Sequence, residues 1–265
     1  MRLSASNIGW SAAEDERVWE KMKQLGYTGL EIAPTRVFPE RPYDNLPGAA
    51  LFAGVMWQKY GFSIPSMQSI WYGQTGSIFE PGEAAALADY TAQALEFAYA
   101  CHCPSLVFGC PRNRSIPEGH TAAEADGFFE QLAYLAQRRG AVIALEANPP
   151  MYNTNFLNTH KEVFALAKRL DRPGLAVNLD VGAMVAGGET AADVAAHLHR
   201  VSHVHISEPG LAPIQPRPLH RELALLLKGV GYQGFVSLEM KAAGEEELTR
   251  SLESVSYTHL RAHET

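Results

Sequence analysis

The sequence has little cysteine and no long apolar run. Its three cysteines, Cys101, Cys103 and Cys110, are few and odd in number, which indicates reduced thiols and a cytoplasmic location. The segment "CHC" at 101–103 has no second Cys/His pair at zinc-ligand spacing, so we expect small buried residues at a helix-to-strand junction. There is no run of 18 apolar residues, and "MRLSASNIGW" lacks the apolar segment of a secretory signal. We therefore expect no membrane span and no export.

Basic residues are in the minority. Lys and Arg number 22 against 29 Asp and Glu, which gives a net charge of −7. A nucleic-acid partner would require a basic face, so this balance argues against one. Hydrophobic residues make up 46% of the 265 residues, enough for a large core. The composition predicts a globular enzyme with a small-molecule substrate.

The end of the chain differs from the rest. The segment "VSYTHLRAHET" (255–265) resembles the translated read-through of a transposase sequencing adapter. We expect a non-native tail, in which His259 and His263 have no function. The alternative is a genuine but irregular tail. The expected folded domain is therefore residues 1–254.

Strand-like and helix-like segments alternate along this domain, and several helices begin with a capping box. The boxes are Ser11/Glu14, Thr121/Glu124, Thr159/Glu162 and Thr190/Asp193. Eight strand-like segments, each followed by a helix, predict an α/β fold of one domain, the (β/α)8 TIM barrel. The alternative is an open doubly wound sheet, but no G-x-G-x-x-G follows the first strand. The strand-like segments are 2–6, 29–34, 63–69, 105–110, 141–147, 175–181, 201–207 and 235–240.

The last four strand-like segments have two unlike faces. In 201–207, Val204 and Ile206 lie on one face and His203 and His205 on the other, because strand side chains alternate. The aliphatic face suits packing against helices, and the other face then points into the barrel. At the C-terminal ends, where such barrels hold their active sites, the inward faces of the four segments end in Glu146, Asp180, His205 and Glu239.

Three carboxylates and one imidazole in one cavity would repel one another and lose hydration unless a cation joined them. We therefore predict that Glu146, Asp180, His205 and Glu239 bind one divalent metal ion. Oxygen ligands with a single nitrogen suit Mn²⁺, Mg²⁺ or Co²⁺, with Zn²⁺ as a further alternative. His203 lies one layer deeper. We expect it to be a core residue that is hydrogen-bonded to neighbours such as Asn178 or Ser237.

Five motifs resemble the sugar phosphate isomerase/epimerase family of xylose isomerase-like barrels. They are "GYTGLEI", "ALEAN", "NLDVG", "HVHISEP" and "VSLEM". The resemblance implies a metal site of the Mn²⁺ type, so we expect Mn²⁺ as the ion. It also implies aldose–ketose or epimerase chemistry, in which the metal stabilises an enediolate while Glu146 and Glu239 act as base and acid. The identity of the sugar stays open, because Tyr152, Ala183 and Leu211 stand where members often have Glu, His and Arg.

Loops after the strands supply further candidates. Glu31, at the end of the second strand, is a candidate for holding a metal ligand in place. Residues expected to contact substrate are Gln68, Trp71, Arg112, Arg114, Asn148 and Tyr152. The arginines would meet hydroxyls or a phosphate. The alternatives are a solvated basic turn for the arginines, a cap on the core for Trp71 and a simple turn for the loop at 146–156.

Other functions are compatible with parts of this pattern. A dehydratase of keto-sugars or inososes would use the same metal site, and a silent barrel would only bind carbohydrate or a partner. A barrel-type endonuclease would require about three zinc ions, more histidines at the mouth and a basic face, so we rank it low. We expect a small-molecule carbohydrate substrate and, by analogy, a homodimer.

Overall fold

The computed structural model describes residues 1–261, which fold into a single α/β TIM barrel. Within these residues, seven parallel strands form one curved sheet in the order β2-β1-β7-β6-β5-β4-β3. The predicted fold class is therefore confirmed. The strands are β1 (Arg2–Ser6), β2 (Gly29–Glu31), β3 (Ser105–Phe108), β4 (Val142–Glu146), β5 (Leu175–Asp180), β6 (Val201–Ile206) and β7 (Phe235–Leu238).

The third predicted strand, at 63–69, takes part in the barrel only through isolated bridges. Ser63 bridges to Gly29, and Met67 bridges both to Ile32 beyond β2 and to Leu106 in β3. These contacts close the barrel between its two edge strands. Pro65 lies in the middle of the segment and has no N–H to donate, so a continuous ladder cannot form there.

Ten α-helices follow the strands within the described residues. Three predicted capping boxes form as expected, at Ser11, Thr121 and Thr190. The fourth is incomplete, because Thr159 accepts from the Glu162 N–H while the Glu162 carboxylate accepts from the neighbouring Asn158 N–H. The helices are α1 (Asp15–Gln24), α2 (Pro34–Val37), α3 (Leu46–Val55), α4 (Pro81–Ala100), α5 (Asp126–Arg138), α6 (His160–Leu170), α7 (Val181–Gly187), α8 (Ala191–Ala195), α9 (Pro218–Gly229) and α10 (Glu245–Ser256).

The core lies between the barrel and its helices. Val204 and Ile206 are fully buried on the outward face of β6, as the alternation predicts. Cys101 and Cys103 are buried just after α4, at the expected helix-to-strand junction. None of the helices described in the structure is long and apolar enough to cross a membrane.

Two short helices were not predicted, namely α2 and α7. The start of α7 affects the mouth of the barrel, because its N-cap is Asp180 and the Asp180 side chain accepts from the Ala183 N–H. A predicted metal ligand thus also begins a helix.

The proposed tail begins inside a helix. Residue 254 lies within α10, and residues 257–261 extend that helix by a π-helical turn. His259 is buried and its Nδ1 lies 3.0 Å from the Val255 carbonyl oxygen. His263 lies outside the described residues. The adapter origin of residues 255–265 stays a prediction.

Candidate active site and metal centre

Four side chains meet at the C-terminal end of the barrel: Glu146, Asp180, His205 and Glu239, named here the four-residue cluster. Each offers one ligand atom, and these four atoms all lie within 4.8 Å of one another. His205 Nδ1 is 3.1 Å from Glu239 Oε2, 3.2 Å from Glu146 Oε2 and 3.9 Å from Asp180 Oδ2. His205 is fully buried and the carboxylates are largely buried, so the charges share a region of low dielectric.

Strand register brings the cluster together. Between β5 and β6 the pairing shifts by one residue after Val177, so that Asn178 pairs with His203 and Asp180 pairs with His205. This irregularity, a feature often found beside active sites, aligns the inward faces of the two strands. The backbone N–H of Glu239 donates to the Ile206 carbonyl oxygen at 2.9 Å, which fixes the end of β7 against β6.

The far side of the His205 ring contacts a buried carboxylate. His205 Nε2 lies 2.9 Å from Glu31 Oε2, and His203 Nε2 lies 2.8 Å from the same oxygen. Ser66 Oγ donates to this oxygen at 2.5 Å and lies 3.0 Å from His203 Nε2. His203 is a core residue as expected, but its expected partners were wrong. They are Glu31 and Ser66, because Asn178 and Ser237 lie beside it in the sheet and not across the barrel.

Asp180 is held by groups that the sequence did not point to. Ser207 Oγ donates to Asp180 Oδ2 at 2.6 Å, and the Ala183 N–H donates to Oδ1 at 2.6 Å. The Asp180 backbone N–H donates to Nε2 of buried His160, whose Nδ1 lies 2.7 Å from Glu189. Apart from the local Ala183 contact, these hydrogen bonds join residues 20 to 29 positions apart, so no local pattern could reveal them.

Glu146 is oriented by two amides. Asn148 Nδ2 donates to Glu146 Oε1 at 3.0 Å, and Asn178 Nδ2 donates to Oε2 at 2.7 Å. Asn148 is in turn held by the Arg114 guanidinium, which donates to Asn148 Oδ1 and to the Glu146 carbonyl oxygen, each at 3.0 Å.

Burial and mutual repulsion shift the pKa values of the cluster apart. Burial, and then neighbouring Glu146, raises the pKa of Asp180 to about 6. Burial raises the pKa of Glu239 to about 7, with added repulsion from Glu146 and Asp180. Burial also opposes ionisation of Glu146, but the hydrogen bond and charge of His205 outweigh it and lower that pKa. Although burial opposes its charge, the carboxylates of Glu239 and Glu31 raise the pKa of His205 well above its usual value.

The cluster faces a cavity of about 210 Å³ at the barrel mouth. Three of the expected substrate-contacting residues line it: Gln68, Asn148 and Tyr152. Gln68 Nε2 donates to Ser6 Oγ at 3.1 Å, and the Tyr152 hydroxyl oxygen accepts from the Gly210 N–H at 3.1 Å. The Tyr152 hydrogen bond connects the loops after β4 and β6 across the mouth.

The three other residues expected to contact substrate, Trp71, Arg112 and Arg114, do not line this cavity. Trp71 is a core residue that packs edge-on against Phe108 and donates its indole N–H to Thr91 Oγ1 at 2.8 Å. Arg114 is fully buried, since the acceptors for its guanidinium lie behind the cavity wall. Arg112 is exposed on the 3-10 turn after β3 and does not line the cavity.

The cavity also has lining residues that were not predicted. Ser69, Cys110, Ser207, Glu208 and Leu211 contribute to its wall. Ser207 and Glu208 directly follow β6 and the predicted ligand His205. Their position in the sequence could therefore have predicted that they line the cavity. No sequence pattern indicated that Ser69, Cys110 and Leu211 would line the cavity. Each has a positive φ, a backbone conformation that is uncommon for residues other than glycine and could not be expected from the sequence.

Comparison with known proteins identifies the family. The model of the xylose isomerase-like TIM barrel family matches residues 19–258. The chain belongs to this family. A Mus musculus protein named "Putative hydroxypyruvate isomerase" is 25% identical over 266 residues, which cover 92% of this chain and 91% of that relative.

Solved structures of epimerases share the fold. D-psicose 3-epimerase of Clostridium cellulolyticum H10, solved with D-tagatose, has a TM-score of 0.76 at 16% identity and covers 98% of each chain. The 3-keto-D-glucoside 4-epimerase of E. coli has a TM-score of 0.75 at 16% identity and covers 97% of this chain and 98% of its own. At such identities the likeness shows the xylose isomerase-like barrel and no particular substrate.

Proposed function

We propose that this xylose isomerase-like barrel is a divalent-metal-dependent isomerase or epimerase. It would move a proton next to the carbonyl of a sugar or sugar phosphate. The four-residue cluster at the cavity carries this proposal, because the ligand atoms of its members lie within 4.8 Å of one another. The family and the epimerase neighbours support a sugar as the substrate class.

The charges of the cluster fit a divalent cation. Three largely buried carboxylates crowd one imidazole, and His205 is the one cationic partner that the described ion pairs give to Glu146 and Glu239. Buried carboxylates normally require a counter-charge. We propose Mn²⁺, held by Glu146, Asp180, His205 and Glu239, with Mg²⁺, Co²⁺ or Zn²⁺ as alternatives. When bound, the ion would supply Lewis-acid stabilisation to the substrate oxygens as negative charge develops.

We propose that Glu146 and Glu239 transfer the protons. They end β4 and follow β7, with β5 and β6 between them, so they approach the cavity from opposite sides of the cluster. One carboxylate would remove the proton from the carbon next to the carbonyl. In an epimerisation the other would return a proton to the opposite face of that carbon. In an isomerisation a proton would instead be returned to the former carbonyl carbon, while the hydroxyl proton moves from one oxygen to the other. Positioned proton transfer of this kind contributes roughly 10² to 10⁴ in rate.

Neutral polar groups around the cluster would orient the substrate. Gln68 and Asn148 offer amides, and the Tyr152 hydroxyl accepts from the Gly210 N–H while its own proton stays available to a substrate oxygen. Such contacts hold the reacting carbon near the carboxylates, which lowers the entropic part of the barrier.

The test is deuterium exchange next to the carbonyl, followed by NMR in D₂O with Mn²⁺-loaded protein and a panel of ketoses. We expect exchange with the wild type and its loss in Glu239→Gln. The matched control is Glu222→Gln, because Glu222 is exposed on α9. Near-wild-type exchange in Glu239→Gln would remove Glu239 from the mechanism.

The same spectra separate the alternatives. Loss of water from the substrate would indicate a keto-sugar or inosose dehydratase on the same cluster. Carbohydrate binding without exchange or dehydration would indicate a catalytically silent barrel.

A further inference from the structure

The cavity has an unusual charge balance for a protein that would bind phosphate. Fourteen of the described residues line it, and none of these is Lys or Arg. Phosphate recognition in proteins normally uses such cations or a helix N-terminus. The N-terminus of α7 at the mouth is already taken, because the Asp180 side chain accepts from the Ala183 N–H there.

The nearest buried cation cannot face a ligand. Arg114 has no exposed surface, and its guanidinium donates to the Glu146 carbonyl oxygen, Asn148 Oδ1 and the Leu157 carbonyl oxygen at 3.0 to 3.2 Å. Its charge therefore lies behind the wall that Glu146 and Asn148 form. Glu31, which is buried on the far side of the His205 ring, adds a further negative charge near the cluster.

A second cation near the rim is already paired. Arg217 Nη2 donates to Glu208 Oε2 at 2.6 Å and Nε donates to Oε1 at 2.8 Å, which is the bidentate geometry of a strong ion pair. Glu208, which lines the cavity, is 3% exposed and also accepts from the Gln215 N–H. Releasing Arg217 to bind a phosphate would leave a buried carboxylate without a counter-charge.

The remaining charges repel anions. The three carboxylates of the four-residue cluster and one divalent cation leave one net negative charge at the centre of the cavity. Apart from the paired carboxylate of Glu208, the wall around it consists mainly of amides, hydroxyls and apolar groups, such as Gln68, Asn148, Tyr152, Pro111 and Leu211. A phosphate dianion in this cavity would lose its hydration and gain no cation from the residues that line it.

We infer that the substrate is an unphosphorylated ketose or hydroxy-ketone, recognised through neutral hydroxyl groups. This inference rests on the proposed isomerase or epimerase function and chooses between the sugar and the sugar phosphate that the function leaves open. The cavity of about 210 Å³ limits the part of the substrate that it encloses to a short chain.

The experiment compares matched pairs: D-fructose with D-fructose 6-phosphate, and dihydroxyacetone with its phosphate. Deuterium exchange is measured on Mn²⁺-loaded protein, and binding is measured by calorimetry. We expect kcat/KM for the free sugar to exceed that for its phosphate by about 100-fold or more. Equal or faster exchange on a phosphate would overturn the inference and leave the proposed function standing.

If none of the four compounds undergoes deuterium exchange, the calorimetric binding affinities test the inference. Tighter binding of the phosphates would overturn the inference, and tighter binding of the free sugars would support it while removing the catalytic proposal. Absence of binding by every probe would overturn both.

A charge variant adds an independent readout. Pro111→Lys places a cation in the wall of the cavity. It should lower the ratio of kcat/KM for the free sugar to kcat/KM for its phosphate by about tenfold. Pro81→Lys is the matched control, because Pro81 is exposed at the start of α4 and away from the cavity. An unchanged preference in a folded Pro111→Lys protein would contradict the electrostatic argument.

Discussion

Glu31 and His205 form a buried pair in which Glu31 Oε2 lies 2.9 Å from His205 Nε2, on the side of the ring opposite Glu146 and Glu239. A carboxylate at this place accepts a hydrogen bond from the Nε2–H group, which keeps the proton on Nε2. The Nδ1 lone pair is then directed at the cluster, where a metal ion would accept it. Carboxylate–histidine pairs of this kind commonly fix the tautomer and orientation of a metal-binding imidazole.

The first prediction concerns this pair. Glu31→Gln should weaken Mn²⁺ binding roughly 10- to 100-fold, because the amide no longer fixes the His205 tautomer. Calorimetric titration of chelator-treated protein measures the affinity. Glu222→Gln should bind Mn²⁺ like the wild type. An unchanged affinity in Glu31→Gln would show that Glu31 does not orient the ligand.

The second prediction concerns pH. The raised pKa values of Asp180, about 6, and Glu239, about 7, mean that protons occupy these carboxyls in mildly acidic solution. Metal binding must displace these protons, so affinity should rise from pH 5.5 to 7.5 by up to about tenfold per pH unit for each proton released. Titrations in buffers of different ionisation enthalpy count the protons. An affinity independent of pH over this range would contradict the assignment.

The third prediction concerns Arg114. Arg114→Met leaves the Glu146 carbonyl oxygen, Asn148 Oδ1 and the Leu157 carbonyl oxygen without their donor. Unpaired buried acceptors should lower the free energy of unfolding by about 3 kcal/mol. Urea unfolding measures this change. Arg112→Met, at an exposed position of the same loop, should change it by less than about 0.5 kcal/mol. Equal effects would place Arg114 outside the core.

The fourth prediction concerns Trp71. Trp71→Ala removes a ring that packs on Phe108 and leaves Thr91 without its indole donor. The expected loss of unfolding free energy is about 3–5 kcal/mol. Trp57→Ala serves as the control, because Trp57 is 65% exposed. A Trp71 variant that is as stable as wild type, but with weakened sugar binding, would restore the role of substrate contact.

Strand periodicity predicted the barrel architecture and predicted that the four-residue cluster would lie at the mouth of the barrel. Alternation is a local property, so it assigns His205 and Glu239 to the inward face without knowledge of the fold. The exception among the strands, at 63–67, has a local cause as well, because Pro65 interrupts the ladder.

Contacts between distant segments could not be predicted in this way. Arg114 was expected to meet substrate, but its acceptors at Asn148 and Leu157 lie 34 and 43 residues away. His203 was expected to bond to the adjacent strands, while Glu31 and Ser66 reach it across the barrel. Sequence spacing predicts on which face of a strand a side chain lies. Its hydrogen-bond partner depends on which segments are brought together when the barrel closes, and spacing does not predict this.

We propose above that Glu146, Asp180, His205 and Glu239 bind one divalent ion. Calorimetric titration of chelator-treated protein with Mn²⁺, compared between the wild type and His205→Asn, measures this binding. We expect one site per chain in the wild type and its loss in the variant, while both proteins remain folded by circular dichroism. No binding by the wild type, or unchanged binding by His205→Asn, would contradict the proposal.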